Sequence, residues 1–434
     1  MTPALARLAA PKRLRAALSG LGALLALIVA VPALADLVDA YFPPGIIGPA
    51  DRLGVTVNSR ERPATDPLGV HVGAFTVRPN ISVGAGYDSN PLFLRRPRPG
   101  AVIVTSGAVA ATSNWSTDNL SGLITFEDTR YATERGQSTT NWSASLGKVF
   151  NFGTDRLALT ATHLAQHQTA RDLNAPALDS PGAYAINNAR ITYTTERGPF
   201  TLTPQLQYTG YRYDDVSIAG VRSSQRYRDR DIVDGQLTAK LGYALLRDVA
   251  VVLRGASIQY VAARPGQIKP DATVVALLAG LDHATSAVWR YRVLAGVQAR
   301  QSSSPQVKTK SAPVIEANLI YMPSGLTTIG LTATRAVQDA AGEFAAAFTY
   351  TAASISIDHE LYRDILLHAH AGIQRAEYDQ SRTSETLVNA QAAVTWLLNR
   401  NAQVTGSYTY LAKQPARGGA ITESLAMVRL QLGL

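Results

Sequence analysis

From about residue 71 onward the chain repeats one pattern: about 10 to 15 residues of alternating polarity, a short turn, and another such stretch, with no sustained 3.6-residue period. Successive side chains of a strand point to opposite faces, so alternation sorts residues by face. In Val233 to Tyr243 one face carries Val233, Gly235, Leu237, Ala239, Leu241 and Tyr243, and the other Asp234, Gln236, Thr238, Lys240 and Gly242. Trp289 to Ala299 sets Trp289, Tyr291, Val293, Ala295, Val297 and Ala299 against Arg290, Arg292 and Gln298, with Arg300 following in the polar register. The chain ends in the same way, with Val428, Leu430, Leu432 and Leu434 on one face and Met427, Arg429, Gln431 and Gly433 on the other.

A soluble sandwich alternates too, but its polar face meets bulk water and collects Lys and Glu. Here the polar positions are rich in Thr, Ser, Asn, Gln and Arg, as a water-filled lumen requires, with the apolar face turned to lipid. Trp115, Trp142, Trp289, Trp396 and many tyrosines near strand ends suit interfacial girdles. In a bilayer every backbone polar group must be paired, so such a sheet has to close on itself. The expected fold is all-β, a transmembrane antiparallel up-and-down barrel.

The pattern predicts about 18 strands, at 71–87, 101–113, 119–132, 139–150, 155–168, 183–196, 200–213, 229–244, 249–263, 271–283, 287–301, 311–322, 326–338, 343–359, 364–379, 384–398, 401–413 and 421–434, with about 16 as the alternative count. Tight polar turns such as Glu196 to Pro199, Met322 to Gly325 and Asn399 to Asn401 alternate with longer connections near 88–100, 169–182, 214–228, 302–310 and 414–420. Short periplasmic turns and long extracellular loops have that rhythm, and an even count places both ends of the barrel in the periplasm.

Composition narrows the field further. The 434 residues include 46% apolar and 17% charged residues and no cysteine, which excludes disulfide scaffolds, thiolate metal sites and cysteine nucleophiles. Arg7, Lys12, Arg13 and Arg15 precede the apolar run Leu18 to Val31 and the small-residue site Ala33-Leu34-Ala35, the layout of an export signal cleaved before Asp36. Cleavage removes four basic and no acidic residues, so the net charge falls from +9 to about +5. That excess is unclustered and does not argue for nucleic acid. The domain order is a signal peptide at 1–35, a Pro-rich segment at 36–70 that is either a periplasmic tail or a lumen plug, and the barrel at 71–434.

Candidate chemistry is sparse. His163 and His167 sit four apart on a strand, about 13 Å along one face, too far to share a metal. His368 and His370 share a lumen-facing register, but no third ligand is evident. Ser145 and Lys148 match S-x-x-K, yet a spacing of three on a strand turns them to opposite faces. No enzyme, metal or cofactor is expected.

The stretch Asp66-Pro67-Leu68-Gly69, followed by Gly73-Ala74-Phe75, Pro79 and Tyr87-Asp88-Ser89-Asn90, forms an ordered set over about 30 residues. It resembles the opening motif of the outer-membrane β-barrel porin type 2 family of proteobacteria, and the flush amphipathic end of the chain resembles a barrel assembly signal, with Leu434 in place of the usual terminal aromatic residue. The resemblance implies an integral outer-membrane barrel of a Gram-negative bacterium, of a kind that sometimes accompanies polysaccharide secretion. It brings no catalytic residues. Taken from the residues alone, Asp88 and Asn90 are turn formers before Pro91.

The expected function is a channel for passive diffusion of small hydrophilic, preferably anionic, solutes. By alternation Arg130, Arg190, Lys240, Arg254, Arg290, Arg292, Arg300, Arg335, Arg375 and Arg429 are expected to line the pore, and fixed positive charge in a wet lumen favours anions. If the loop 169–182 folds inward, Asp172 and Asp179 would set a field across a constriction. The alternative is the same fold serving exopolysaccharide export; a barrel-based surface enzyme or adhesin would need a rim cluster or a large loop domain. Expected partners are outer-membrane lipid and the barrel assembly machinery, with a homo-oligomer and polysaccharide-export proteins as further candidates.

Overall fold

The computed structural model describes residues 34–46, 56–175, 178–218, 220–242, 249–263, 266, 268–283, 288–305, 309–340, 347–378 and 382–434. Most of the expected signal peptide, including Ala33, lies outside the described residues, while Ala35 and Asp36 fall in a short helix, Leu34–Asp39. Eighteen long strands follow: β1 Phe75–Asp88, β2 Gly100–Ser113, β3 Asn119–Tyr131, β4 Thr139–Phe152, β5 Asp155–Gln168, β6 Gly182–Arg197, β7 Phe200–Tyr213, β8 Arg230–Leu241, β9 Val249–Tyr260, β10 Ala272–His283, β11 Trp289–Ser302, β12 Lys310–Ser324, β13 Thr327–Asp339, β14 Ala347–Tyr362, β15 Ile365–Tyr378, β16 Thr383–Leu397, β17 Ala402–Gln414 and β18 Ile421–Gly433. The count is the larger of the two that the sequence pattern allows.

Each strand pairs antiparallel with its neighbours in sequence, and β1 pairs with β18 from Asn80 opposite Gly433 to Asp88 opposite Leu425. That seam closes the barrel, so no long strand is left with a free edge. The short strand Val70–Val72 folds back on the start of β1 through Gly73, whose φ of +57° suits a two-residue hairpin turn. Pro204 and Pro313 lack an N–H; Pro204 stands where the β6–β7 ladder is interrupted, and Pro313 lies just beyond the end of the β12–β13 ladder at Ile315.

The period of two decides the faces. Ile81, Val83, Ile124, Leu146, Leu206, Leu277, Val297, Val394 and Leu430 are exposed on the outside, where lipid would cover them. Ser82, Ser106, Thr125, Ser143, Thr209, Thr238 and Thr405 are buried on the inside. Trp115, Trp289 and Trp396 lie outward at the end of the short turns, with Trp289 stacked on Tyr321 at 4.1 Å, while Trp142 lies toward the end of the long loops. The two ends therefore carry aromatic residues at the expected girdle heights.

The inner wall draws tight at β10 and β11. Gly280 pairs with Leu294 and Gly296 with Leu278, and a Cβ on either glycine would run into the carbonyl of Val293 or Leu277. Only glycine lets the two leucines reach full burial there.

The face assignment is testable. Leu277→Arg, outward and mid-strand, should destabilise the folded barrel by about 2–4 kcal/mol in a reversible lipid-vesicle denaturant titration. Gln391→Arg, inward and mid-strand, should change it by well under half of that; equal costs would refute the assignment.

Candidate functional site

The lumen is the candidate site, and its charges are largely paired. Seven of the sequence-predicted pore-lining residues stand on inward registers: Arg190, Lys240, Arg254, Arg290, Arg292, Arg300 and Arg429. Asp282 serves both Lys240, at 3.1 Å, and Arg292, at 2.7 Å. Arg254 donates to Glu316 and to Gln236, and Arg300 holds Asp339 at 2.8 Å. Arg190 reaches Asp39 of the N-terminal segment at 2.5 Å and stacks over Phe42. Arg429 lies inside β18 within electrostatic range of Glu127.

Three predicted pore residues point the other way. Arg130 shares the register of exposed Ile124 and Phe126 on β3, and its side chain is 58% exposed beside Asp128. Arg335 shares the register of exposed Leu331 on β13, and Arg375 that of exposed Ile373 on β15. Alternation counted from the apolar residues of each strand puts all three on the outer surface, and assigning them to the lumen is corrected here. His368 and His370 are inward, on the opposite register to Arg375, where Asp358 and Asn389 take up their Nδ1 atoms. Among the described residues no group of three His, Asp or Glu could hold a metal ion.

The N-terminal segment runs inside the barrel. Leu37, Val38 and Tyr41 pack on Leu164, Ile186 and Tyr211 of β5–β7, near the loop end, and Ile46 packs lower on Val149 and Ala158 of β4 and β5. Arg156 donates to the Gly45 carbonyl at 2.8 Å, close to the turn end. Residues 56–63 then follow the turn end of the wall: Val57 N–H bonds Thr328 Oγ1 at 3.0 Å, Arg62 and Arg60 pair with Glu360, and Arg400 reaches the Pro63 carbonyl at 2.7 Å.

A second inward segment comes from the β5–β6 connection. Residues 169–174 cross to the wall of β15–β18, where β16 lies seven strand positions from β5 through the seam. Arg171 donates to Glu423 at 2.6 Å and to Asp88 and the Pro91 carbonyl at 3.2 Å. Lys413 Nζ donates to the carbonyls of Ala170, at 3.0 Å, and Asp172, at 2.6 Å. Leu173 packs beside Phe93, Leu387 and Leu411, and the Asn174 amide donates to Glu385 at 3.1 Å. This strap helps to bury Asp88, read from the sequence only as a turn former, and three wall residues that the sequence left unassigned, Glu385, Lys413 and Glu423.

The two aspartates expected at the constriction part company. Asp172 lies in the strap, its carboxylate accepting the Thr169 amide at 2.8 Å. Asp179 is exposed and binds the next loop instead, accepting from Ser217 and the Gly220 amide at 2.8 Å.

At the loop end of the inner wall, Tyr211, Arg230 and Tyr260 stand side by side across β7, β8 and β9. The Arg230 guanidinium lies over Tyr211 and that of Arg228 over Tyr213, at 4.2 and 4.1 Å. Arg228 Nη2 donates to Gln168 at 2.7 Å, yet both Nε atoms and the Tyr260 hydroxyl are buried without a hydrogen-bond partner. Among the described residues no carboxylate forms an ion pair with either arginine. Alternation could not place Arg228, which lies in a loop, whereas Arg230 falls in the polar register of the expected strand 229–244 and was within its reach.

A family model described as "Putative beta-barrel porin 2" matches residues 62–433. The chain belongs to that family. No curated protein sequence matches it. Among solved structures, Pseudomonas aeruginosa OpdK with vanillate is 9% identical with a TM-score of 0.43, over 82% of this chain and 99% of that one. P. aeruginosa OccK9 is 10% identical, with a TM-score of 0.44 over 82% and 98%, and a loop L8 deletion mutant of Vibrio cholerae OmpT is 13% identical, with a TM-score of 0.39 over 83% and 100%.

In this β-barrel porin 2 member the opening motif has a structural use. Asp88 is fully buried, accepts the Asn90 amide at 2.7 Å and the Tyr131 hydroxyl at 2.9 Å, and receives Arg171 of the strap. Asn90 ties the following loop to β18 through the Leu94 and Thr422 carbonyls. The pair therefore anchors both the first loop and the strap.

Burial holds the Asp172 carboxyl above the usual carboxylate range, against the pull of the Thr169 amide, Lys413 and Arg171. The docked strap thus holds that proton more tightly than the undocked one, so docking weakens as pH rises from the ordinary to the raised value. Asp172→Asn should leave hydrogen exchange of 169–174 unchanged below about pH 4 and slow it several-fold at neutral pH. Equal exchange at neutral pH would refute it.

Proposed function

We propose that this outer-membrane porin-like channel passes small hydrophilic solutes by diffusion and leans toward anions. The observation that carries the lean is the Arg228–Arg230 pair at the loop end of the lumen, two guanidiniums without an ion-pair partner among the described residues. Most inward cations deeper in the barrel face a carboxylate, with Lys240 and Arg292 sharing Asp282, so their field is much reduced. Both guanidiniums are buried in the wall at the loop end, so their charge acts on a passing ion through the low-dielectric lining and not by direct contact. The strap and the N-terminal segment reduce the free section of the lumen, and the chemistry at the mouth then outweighs that of the wall below.

A lumen that holds its own N-terminal segment also suits a barrel opened by a partner, and this favours exopolysaccharide export as the second reading. Planar-bilayer recording separates the two. The diffusion reading expects steady conductance with an anion-directed reversal potential under a salt gradient, and Arg228→Gln with Arg230→Gln should move that potential toward zero. Removing residues 36–46 should raise the conductance. A folded wild-type barrel that stays silent while the truncated one conducts would replace diffusion with partner-opened export, and an unmoved reversal potential in the double variant would refute the role of the arginine pair.

A further inference from the structure

The outer surface of β13–β16 carries a polar row where the lipid-facing surface ends. Arg335 pairs in register with Thr351, Thr351 with Arg375, and Arg375 with Thr386, so the four stand side by side across four strands. The row below, toward mid-membrane, is Ala333, Ala353, Ile373 and Val388, of which Ile373 and Val388 are exposed hydrophobics. The row above is Val337, Thr349, Glu377 and Ser384, of which Val337 and Thr349 are buried. One residue pair along a strand, about 7 Å, therefore separates apolar surface from two guanidiniums.

The charge of this row is unbalanced. Arg335 lies 3.9 Å and Arg375 3.1 Å from the same Glu377, and Arg335 also donates to Thr351 at 2.9 Å. Two cations against one carboxylate leave one positive charge, and the side chains of Arg335 and Arg375 remain 33% and 52% exposed. Two other outward arginines of the wall are matched one to one: Arg130 has Asp128, and Arg212 has Asp231. Arg382, exposed in the connection above β16, adds a further cation near the row.

We propose that this face binds the phosphorylated headgroup of an outer-leaflet glycolipid. The long loops place the row at the extracellular interface. Two arginines whose backbones stand two strands apart, about 10 Å, and whose long side chains can turn from Glu377 to a ligand, with threonine hydroxyls between and beside them, fit a headgroup that carries more than one phosphate. Acyl chains would descend over the apolar row below. Basic side chains at a membrane interface recognise anionic lipid by the same attraction. The proposal rests on the outer-membrane placement and not on the anion reading, and its test involves no conductance.

Native mass spectrometry of the folded barrel in detergent would be run with bisphosphorylated lipid A, dephosphorylated lipid A, phosphatidylglycerol and inorganic phosphate as probes. Wild type should retain the bisphosphorylated form, and Arg335→Gln with Arg375→Gln should weaken it at least tenfold, while Arg130→Gln changes it less than twofold. Heat-modifiable migration reports folding of each variant. Glu377→Gln, which releases both arginines, should tighten binding several-fold and covers the case of a double variant that fails to fold. Unchanged binding in the folded double variant, no gain in Glu377→Gln, equal retention of dephosphorylated lipid A or phosphatidylglycerol, or displacement by inorganic phosphate would each overturn the proposal.

Discussion

Closure of the backbone ladder governs everything else in this chain. In hydrocarbon an unpaired peptide group costs several kcal/mol, so a sheet in lipid must bring its last strand to its first. The β1–β18 seam does that, and small residues ease it: a Cβ on Gly86 would run into the Ala426 carbonyl, and Gly84 sits close against Met427 and Arg429. Once the ring is shut, each strand position has only two destinations, lipid or lumen. Polar groups sent inward find one another along the wall, as in Ser82–Ser106 at 2.7 Å, Thr125–Ser143 at 2.6 Å and Thr395–Thr405 at 3.0 Å.

The same logic explains the apolar residues that break the inner pattern. Leu164, Ile186 and Tyr211 would be misplaced on a bare aqueous wall, but they form the seat for Leu37, Val38 and Tyr41. Burying side chains of this kind contributes roughly 1.5–3 kcal/mol each. The N-terminal segment adds Asp39 against Arg190, so its seat is both apolar and charge-matched. The strap uses the opposite balance: one leucine and a dense set of ionic and backbone contacts centred on Arg171 and Lys413. A charged group is removed from water at both ends of that clamp, and the cost is offset because each is met by several partners.

Strand existence was legible from alternation, and each of the eighteen strands lies close to its expected place, the largest drift being at β14, predicted at 343–359 and found at Ala347–Tyr362. Strand facing was legible wherever it was counted from bulky apolar residues. Arg130, Arg335 and Arg375 were misassigned because they lie near the loop ends of their strands, where the outer surface leaves lipid and turns polar, so polarity alone no longer marks the inside. The strap was foreseen only as a loop that folds inward. Its clamp was not legible, since Arg171 meets Asp88 and Glu423 at sequence separations of 83 and 252 residues, and no local pattern encodes such a contact. Asp179 illustrates the converse: a loop aspartate expected in the lumen is captured by the adjacent loop through Ser217 and Gly220.

Counting basic residues on an inner wall overstates the field that a solute meets. Arg254 and Arg300 each have a carboxylate of their own within ion-pair distance, and Lys240 and Arg292 share Asp282, so much of the basic charge on the wall is offset close by. What remains depends on the few cations the fold leaves unmatched and on how near the permeation path is forced to them. Among the described residues Arg228 and Arg230 form no ion pair: the first sits in a loop turn, the second at the start of β8, and both stack on tyrosines. An aromatic face steadies a guanidinium without neutralising it. The alternating pattern thus supplies the wall, while Arg228 and Arg230 at its loop end are the inward cations for which the described residues give no ion-pair acid.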